Sequence, residues 1–509
     1  MSEDTETKIE ERKTLIKKGV FNWLKDPLNL SLALVMLFAF SIRLYYFITI
    51  NNQPLWWDEA VYGGLARNMI SHMWDGTIGV VNESAIRPLF FSLLWSVLIR
   101  INIPELGARF IFEFIPSIFS VFFVYLIGKE VFNKRVGIIS AFIFSVLWIH
   151  LFYTLRLMTD VPTLFFLFSS IYFFIISTKQ EFNFRYFSLS LLLLSISTLI
   201  RYPSGMVFFA YLFILIAGKQ LHLKKIKFWY SSIIGISPIL LFFLINLIKT
   251  GNLFPALLGG SYVGAEKFVS KPFAFDLLRY IPVFLERTLF ILFLVGLAII
   301  LFELVIGFNF ITRDNKLRNY LLLVLILVIF YSYFIFYMRA ASDRYFFPTA
   351  ITLSCFAAFG IDSLYNLIKK SSKYIAVFLV LAVLIFGAYS QIKMADNLIQ
   401  VKKTSYLQVR QGFEWIKENT PEDSIITGSG IYPYSMYYAE RKYFELPLNE
   451  SESDKILEAD YVVVHGFTPQ REYINKYLQE NQDKWQPVNA FFFDEQKTQP
   501  ILVIYKKKI

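Results

Sequence analysis

The chain is expected to be a polytopic α-helical membrane protein that closes with a small extracytoplasmic α/β domain, and three observations lead there. Apolar runs of about 17 to 25 residues, the length that crosses a hydrocarbon core as a helix, recur between residues 28 and 390. The composition, 56% hydrophobic and 18% aromatic over 509 residues, belongs to the membrane class. Beyond residue 402 the long apolar runs give way to short alternating helix and strand patterns. The net charge of +11 does not point to nucleic acid, because Lys and Arg fall in short blocks between the apolar runs. The single cysteine, Cys355, lies inside an apolar run, which removes intrachain disulfides and argues against redox chemistry.

Residues 1–27 are polar and read as a cytoplasmic segment, since Lys8, Arg12, Lys13, Lys17, Lys18 and Lys25 obey the positive-inside rule there. The run 28–50 is a first span; no small-residue cleavage site follows a short apolar core, so it is expected to stay uncleaved. The next stretch, Pro54-Leu55-Trp56-Trp57-Asp58-Glu59-Ala60-Val61-Tyr62-Gly63-Gly64-Leu65-Ala66-Arg67, is then outside. Paired Trp residues suit the membrane interface, and the two carboxylates stand at the start of a helix lying along it. A helix-dipole contribution of about 0.3 to 1 kcal/mol is the plain account of such an acidic pair. The cost of desolvating two carboxylates at the edge of a hydrocarbon core favours a functional one.

Further spans are expected over 108–127, 136–153, 161–176, 186–200, 206–217, 228–248, 281–308, 320–337, 345–367 and 374–390. The segment 86–103 is ambiguous. If it crossed, the basic loops at Lys129–Arg135, Lys219–Lys227, Arg313–Arg318 and Lys369–Lys373 would all face outside. Placing it on or in the outer surface makes all four cytoplasmic and leaves about eleven spans, which is the choice the charge rule supports.

The outer face then receives Asp58, the turn from Arg156 to Asp160, the turn Arg201-Tyr202-Pro203-Ser204-Gly205, the loop 249–280 and the turn 339–344. Each short outer turn carries an Arg, an Asp or both, against the charge bias of the rule. A single Arg of this kind is explained by lipid headgroups; several on one face are candidates for a shared site.

The organisation expected is therefore a cytoplasmic segment over 1–27, a membrane domain over 28–391 and an extracytoplasmic α/β domain over 400–509. Within the last, helices are expected at 406–418, 435–441 and 471–480, and strands at 424–427, 442–446, 461–465 and 501–505. Gly428-Ser429-Gly430 after a strand lacks the third glycine of a dinucleotide loop, and His465 has no metal-ligand partners in its vicinity. No Walker loop, HExxH or GxSxG is present.

Asp58-Glu59, Arg87-Pro88, the Gly128-Lys129 to Arg135-Val136-Gly137 turn, Arg156 with Asp160, Arg201-Tyr202-Pro203, and Asp343-Arg344-Tyr345 with Pro348 together resemble the integral-membrane GT-C glycosyltransferases. The nearest branch is that of the protein O-mannosyltransferases and lipid A aminoarabinose transferases, and the resemblance covers residues 28 to 390. It implies a sugar donor carried on polyprenyl or dolichyl phosphate, and transfer on the outer face of the cell membrane to a protein, lipid or glycan hydroxyl. By the same resemblance Asp58 is the general base, Glu59 positions substrate and Asp160 is the second acidic residue. Arg87, Arg156, Arg201 and Arg344 are the donor-phosphate set. By the resemblance Arg87 stands where the aminoarabinose branch has Lys in a Lys-Pro-Pro motif, and Arg201 similarly replaces a family Lys; both keep the charge but allow bidentate contact with phosphate.

The chemistry asks for these residue types: a base for the hydroxyl proton, negative charge for a cation-like sugar, and positive charge for the departing phosphate. A single inverting displacement is the simpler reading. Asp58 and Asp160 are the pair available to a divalent cation such as Mg or Mn, and no nucleotide, flavin or haem is expected. Partners are membrane lipids, the lipid-linked donor and the acceptor, not nucleic acid. The competing class is a lipid-sugar flippase or solute transporter, which would place charges at the bilayer midplane in related halves.

Overall fold

The structure, a computed structural model, describes residues 22–77, 87–250, 272–339, 341–467, 470–493 and 496–508. The first 21 residues of the expected cytoplasmic segment, and residues 251–271 of the expected outer loop, lie outside the described residues.

The membrane part consists, in chain order, of α1 (Pro27–Thr49), α2 (Trp57–Ser71), α3 (Phe90–Arg100), α4 (Glu105–Val131), α5 (Lys134–Val146), α6 (Trp148–Tyr153), α7 (Asp160–Ser177), α8 (Phe184–Ile200), α9 (Tyr202–Ala217), α10 (Ile226–Thr250), α11 (Phe275–Ile306), α12 (Asn315–Met338), α13 (Asp343–Lys369) and α14 (Lys373–Lys402). Among the described residues eight of these, α1, α4, α7 and α10 to α14, are long and apolar enough to cross a membrane. The remaining expected spans are helical too, but α8 and α9 are shorter, and 136–153 is broken at Leu147 into α5 and α6. The ambiguous segment 86–103 becomes α3, whose 11 residues reach about 16 Å against the roughly 30 Å of a hydrocarbon core. It lies against α2, with Ser92 Oγ donating to Tyr62 O at 3.0 Å.

Side-chain caps start several of these helices at the loops rich in Lys and Arg. Asp26 accepts from Leu28 N, Asn133 from Arg135 N and Val136 N, Asn183 from Arg185 N and Tyr186 N, and Asp314 from Lys316 N. Each satisfies an amide that the helix itself cannot, an effect of about 1 kcal/mol. Glycine sets the closest helix contact: a Cβ on Gly296 of α11 would stand 2.0 Å from Phe356 O of α13, and one on Gly360 of α13 would stand 2.2 Å from Leu292 O. Small residues permit such backbone approach in a medium that offers no hydrophobic drive between helices.

α11 is interrupted at Glu286, whose φ of 56° and ψ of 168° are not helical. The break frees carbonyls that need new donors. Trp148 Nε1 donates to Val283 O at 2.9 Å, and Gln391 Nε2 donates to Phe284 O at 2.9 Å while its Oε1 accepts from Trp148 N at 2.8 Å. One tryptophan and one glutamine thus tie α6, α11 and α14 together.

Past α14, which continues to Lys402 rather than stopping at residue 390, come α15 (Leu407–Asn419), β1 (Ile425–Gly428), a helical segment over 432–439, β2 (Lys442–Glu445), β3 (Tyr461–His465), α16 (Tyr473–Glu480), β4 (Trp485–Phe492) and β5 (Pro500–Lys507). The sheet order is β2-β1-β3-β5-β4; β1 pairs in parallel with β2 and β3, and β5 is antiparallel to β3 and β4. Strand β4 is not among the expected elements.

This domain sits on α2. Leu55 N donates to Tyr438 OH at 3.0 Å, Trp74 Nε1 to Arg441 O at 2.8 Å, and Arg67 pairs with Glu440 at 2.6 Å. A Cβ on Gly63 would stand 2.6 Å from the Tyr437 ring, so the Gly63-Gly64 pair is the seat on which the domain rests.

Candidate active site

α2 begins at Trp57, with Trp56 as its N-cap, and the two carboxylates of its first turn go opposite ways. Successive residues on a helix are turned by about 100°. Asp58 opens toward the surface, its side chain 20% exposed, whereas Glu59 is fully buried.

Asp58 receives two guanidinium groups from two other turns. Arg87 Nη2, just before α3, lies 2.7 Å from Oδ1, and Arg344 Nη2, at the start of α13, lies 2.6 Å from Oδ2. Burial pushes the Asp58 carboxyl up, but Arg344 and Arg87 beside it outweigh this and hold it below the ordinary aspartate range. Arg87 also stands over the Tyr62 ring, 5.2 Å from its centroid.

A second pair completes the cluster. Asp160, the first residue of α7, is buried, and Arg201 Nη1 reaches its Oδ1 at 2.7 Å while lying 3.3 Å from Thr159 Oγ1. Arg201 is held by the Tyr345 ring at 4.7 Å, and Arg344 Nη1 points to Met158 Sδ at 3.9 Å. Asp160 Oδ2 is buried without a hydrogen-bond partner among the described residues. Such an oxygen is costly unless a ligand satisfies it. Arg87, Arg201 and Arg344 are 16%, 12% and 22% exposed, enough to meet a ligand from the surface.

Beneath this open layer is a closed one. Glu59 Oε1 accepts from Leu157 N at 2.7 Å, and Oε2 accepts from Trp56 N at 2.9 Å and from Arg156 Nη1 at 3.3 Å. Arg156 is 1% exposed, with its guanidinium 3.3 Å from the centroid of the Trp56 ring and the Gln53 amide oxygen beside it. Arg109 approaches Glu59 at 3.9 Å and binds Glu105 at 2.8 Å, Gln53 O at 2.8 Å and Leu155 O at 2.9 Å. Glu113, fully buried on the π-helical turn Phe110–Phe114 of α4, accepts from Met158 N at 3.1 Å.

Of the residues singled out from sequence, the structure brings Asp58, Asp160, Arg87, Arg201 and Arg344 into one open cluster. It places Glu59 and Arg156 under that cluster, 0% and 1% exposed, with every contact just given for them internal. Asp343, to which Arg344 N donates at 2.7 Å, lies within electrostatic reach of Asp160, Arg344 and Arg201, and the sequence reading assigned it no role. Arg109 and Glu113 are likewise absent from the set of residues expected from sequence. Their signal was available, since charges inside an apolar run are functional by default.

A divalent ion fits poorly between Asp58 and Asp160. Three guanidinium groups already neutralise these carboxylates, and among the described residues no group of three or more His, Cys, Asp or Glu side chains could hold a metal. Mg is usually held by one or two carboxylates beside water and phosphate oxygens, and here both carboxylates already carry guanidinium partners.

Residues 87–245 match the family model for dolichyl-phosphate-mannose-protein mannosyltransferase. No curated protein matches the chain. Among solved structures, the chain is similar to the Archaeoglobus fulgidus oligosaccharyltransferase tethered to an acceptor peptide, with TM-score 0.61 and 14% identity over 87% of this chain and 70% of that one. The same enzyme has been solved with dolichol-phosphate and an inhibitory peptide, and with Zn and sulfate. ArnT from Cupriavidus metallidurans bound to undecaprenyl phosphate gives TM-score 0.60 and 11% identity over 93% of this chain and 97% of that one. The mycobacterial arabinofuranosyltransferase AftD gives TM-score 0.55 and 12% identity over 92% of this chain and 39% of that one.

Proposed function

The chain is a multi-pass membrane protein with the GT-C glycosyltransferase fold, and on that premise we propose that it moves a sugar from a polyprenyl or dolichyl phosphate to an acceptor hydroxyl at the outer face of the cell membrane. The observation that carries this is the open cluster: one carboxylate held by two guanidinium groups from separate turns, next to a second carboxylate held by a third.

The donor's lipid tail stays in the bilayer and its phosphate enters at the interface, where Arg87, Arg201 and Arg344 give it charge-assisted hydrogen bonds. Those guanidinium groups are the countercharge of Asp58 and Asp160. As the phosphate draws Arg87 and Arg344 toward itself, Asp58 loses the charges that depress its basicity. Donor binding therefore prepares the base. The acceptor oxygen attacks the anomeric carbon, its proton passes to Asp58, and the carbon–oxygen bond to phosphate breaks with its electron pair going to the lipid phosphate. Asp160 faces the positive charge that develops on the sugar, with Oδ2 unpaired. One displacement with one base inverts the anomeric centre.

Glu59, expected from sequence to touch substrate, and Arg156, expected to touch phosphate, act in this account as supports. Their buried pair fixes the first turn of α2 against the turn before α7, and so sets the distance between Asp58 and Asp160. The test is transfer itself: purified protein in lipid nanodiscs, given radiolabelled polyprenyl phosphate sugars and a panel of acceptors, should release free lipid phosphate in step with labelled acceptor. In sealed proteoliposomes, movement of the lipid-linked sugar from one leaflet to the other without transfer would favour translocation instead.

A further inference from the structure

α4 is long and apolar enough to cross a membrane, yet near its N-terminal end it carries Glu113, fully buried. An ionisable group in such a helix is functional by default, and its partner has to be named. The helix widens to admit it: over Phe110–Phe114 the turn is π-helical, and Ile115 N donates to Phe110 O rather than to Ile111 O. Widened turns of this kind recur at functional sites. A spacing of four overshoots the 3.6 residues of an α turn; the wider turn lets Arg109, Glu113 and Ser117, spaced by four, all face inward, and each is buried.

Stability does not account for this carboxylate. Its Oε1 accepts from Met158 N at 3.1 Å, but Oε2 is buried without a hydrogen-bond partner among the described residues. Such an oxygen costs more than one accepted amide bond returns. Arg109 directs its hydrogen bonds to Glu105, Gln53 O and Leu155 O, and its influence on Glu113 is electrostatic only.

What Glu113 holds is the turn in front of Asp160. Glu59 takes Leu157 N at 2.7 Å and Glu113 takes the next amide, Met158 N, so carboxylates from α2 and α4 grip successive amides of that turn. Asp160 follows as the first residue of α7, within electrostatic reach of Glu113, while the Met158 side chain reaches Arg344 Nη1 at 3.9 Å. Without Glu113 the Met158 amide keeps only its contact with Arg156 O, at 2.7 Å, in a three-residue turn. The turn that aims Asp160 would then be gripped from the α2 side alone.

We propose that Glu113 is a positioning residue for the transfer reaction: by holding the Met158 amide it fixes Asp160 where that carboxylate faces the reacting sugar. This rests on the glycosyl-transfer reading above and adds to it a residue that touches neither donor nor acceptor.

The test uses the purified full chain and the radiolabelled polyprenyl phosphate sugar that the wild type accepts, in single turnover. Glu113→Leu removes the acceptor at similar volume and should slow transfer about 10- to 100-fold, the scale of a small misplacement of a reacting group. Undecaprenyl phosphate binding should stay at the wild-type level. Glu113→Gln keeps an acceptor oxygen for Met158 N and should restore most of the rate. Glu113→Asp keeps the charge but falls one methylene short of the amide; it should be slow as well, which decides the matter even if Glu113→Leu does not fold. In an Asp160→Asn background Glu113→Leu should cost little more, because residues that act as a unit are not additive. The proposal is overturned by wild-type transfer in folded Glu113→Leu or Glu113→Asp, by a Glu113→Gln as slow as Glu113→Leu, or by fully additive losses with Asp160→Asn. Absence of transfer by the wild type would strike the glycosyl-transfer reading and this inference with it, whereas wild-type transfer with indifferent Glu113 variants strikes the inference alone.

Discussion

Arg344 and Arg87 take different oxygens of Asp58, at 2.6 Å and 2.7 Å, so neither guanidinium can leave without changing the basicity of that carboxylate. This makes the pH dependence informative. In the free protein Asp58 is held below the ordinary aspartate value of about 3.9. The acid limb of kcat/KM, which reports the free enzyme, should therefore lie below about pH 4. With donor bound, the two guanidinium groups turn to the phosphate, and the acid limb of kcat should move to higher pH. Coincident limbs would mean that the phosphate does not draw the guanidinium groups from Asp58. The same depressed value gives stability that is present above the unfolded pKa and lost as pH falls through the lower folded one.

Arg201 pairs with Asp160 and is 12% exposed. Arg201→Ala should lower donor kcat/KM about 10- to 150-fold, because a hydrogen bond to a charged group is worth about 1.5 to 3 kcal/mol. Steady-state kinetics with varied lipid-linked donor measure this; unchanged donor kinetics would reassign Arg201 to lipid headgroups.

Glu59→Gln should act on stability more than on chemistry. Removing one partner of a buried ion pair costs about 3 to 5 kcal/mol, and Arg156 is 1% exposed. Thermal unfolding in detergent should fall well below that of the wild type, and further than that of Asp58→Asn, whose guanidinium partners are 16% and 22% exposed and so partly hydrated. Equal melting of Glu59→Gln and wild type would remove the support role.

The depth of each charge is what the sequence conceals. Asp58 and Glu59 are neighbours in the chain, yet one turn step on α2 separates an open carboxylate from a buried one, and no periodicity in the short stretch after Trp56 decides which is which. Charges at the ends of apolar runs are conspicuous, which is why Arg87, Arg201, Arg344 and Asp160 could be picked out. Arg109 and Glu113 carry the same signal, a charge inside an apolar run, but their partners Glu105, Leu155 and Met158 are set by the fold and not by spacing. The helices themselves are legible because the bilayer imposes length and composition on them. The break at Leu147 carries neither Pro nor Gly and leaves no such mark. Strand β4 was invisible because Pro487 and Asn489 interrupt its alternation, where the register with β5 also shifts. An edge strand tolerates that proline.

The proposed location of the site on the outer face rests on the basic loops and is open to direct labelling. Cysteines placed at Lys225, Asn315 and Ser371 should react only from the cytoplasmic side, and one at Asn449 only from outside; native Cys355 is buried and contributes little background. External labelling at Lys225 would invert the assignment of the site.

The central claim is that Asp58 removes the acceptor proton, and Asp58→Asn tests it most directly. The amide keeps the shape of the side chain but cannot take the proton, so the variant should fold and still bind undecaprenyl phosphate. Single-turnover transfer from a radiolabelled polyprenyl phosphate sugar should fall by about 10² to 10⁴, the usual contribution of a general base. Transfer at close to the wild-type rate, with donor binding intact, would contradict the account and turn attention to Asp160 and Asp343.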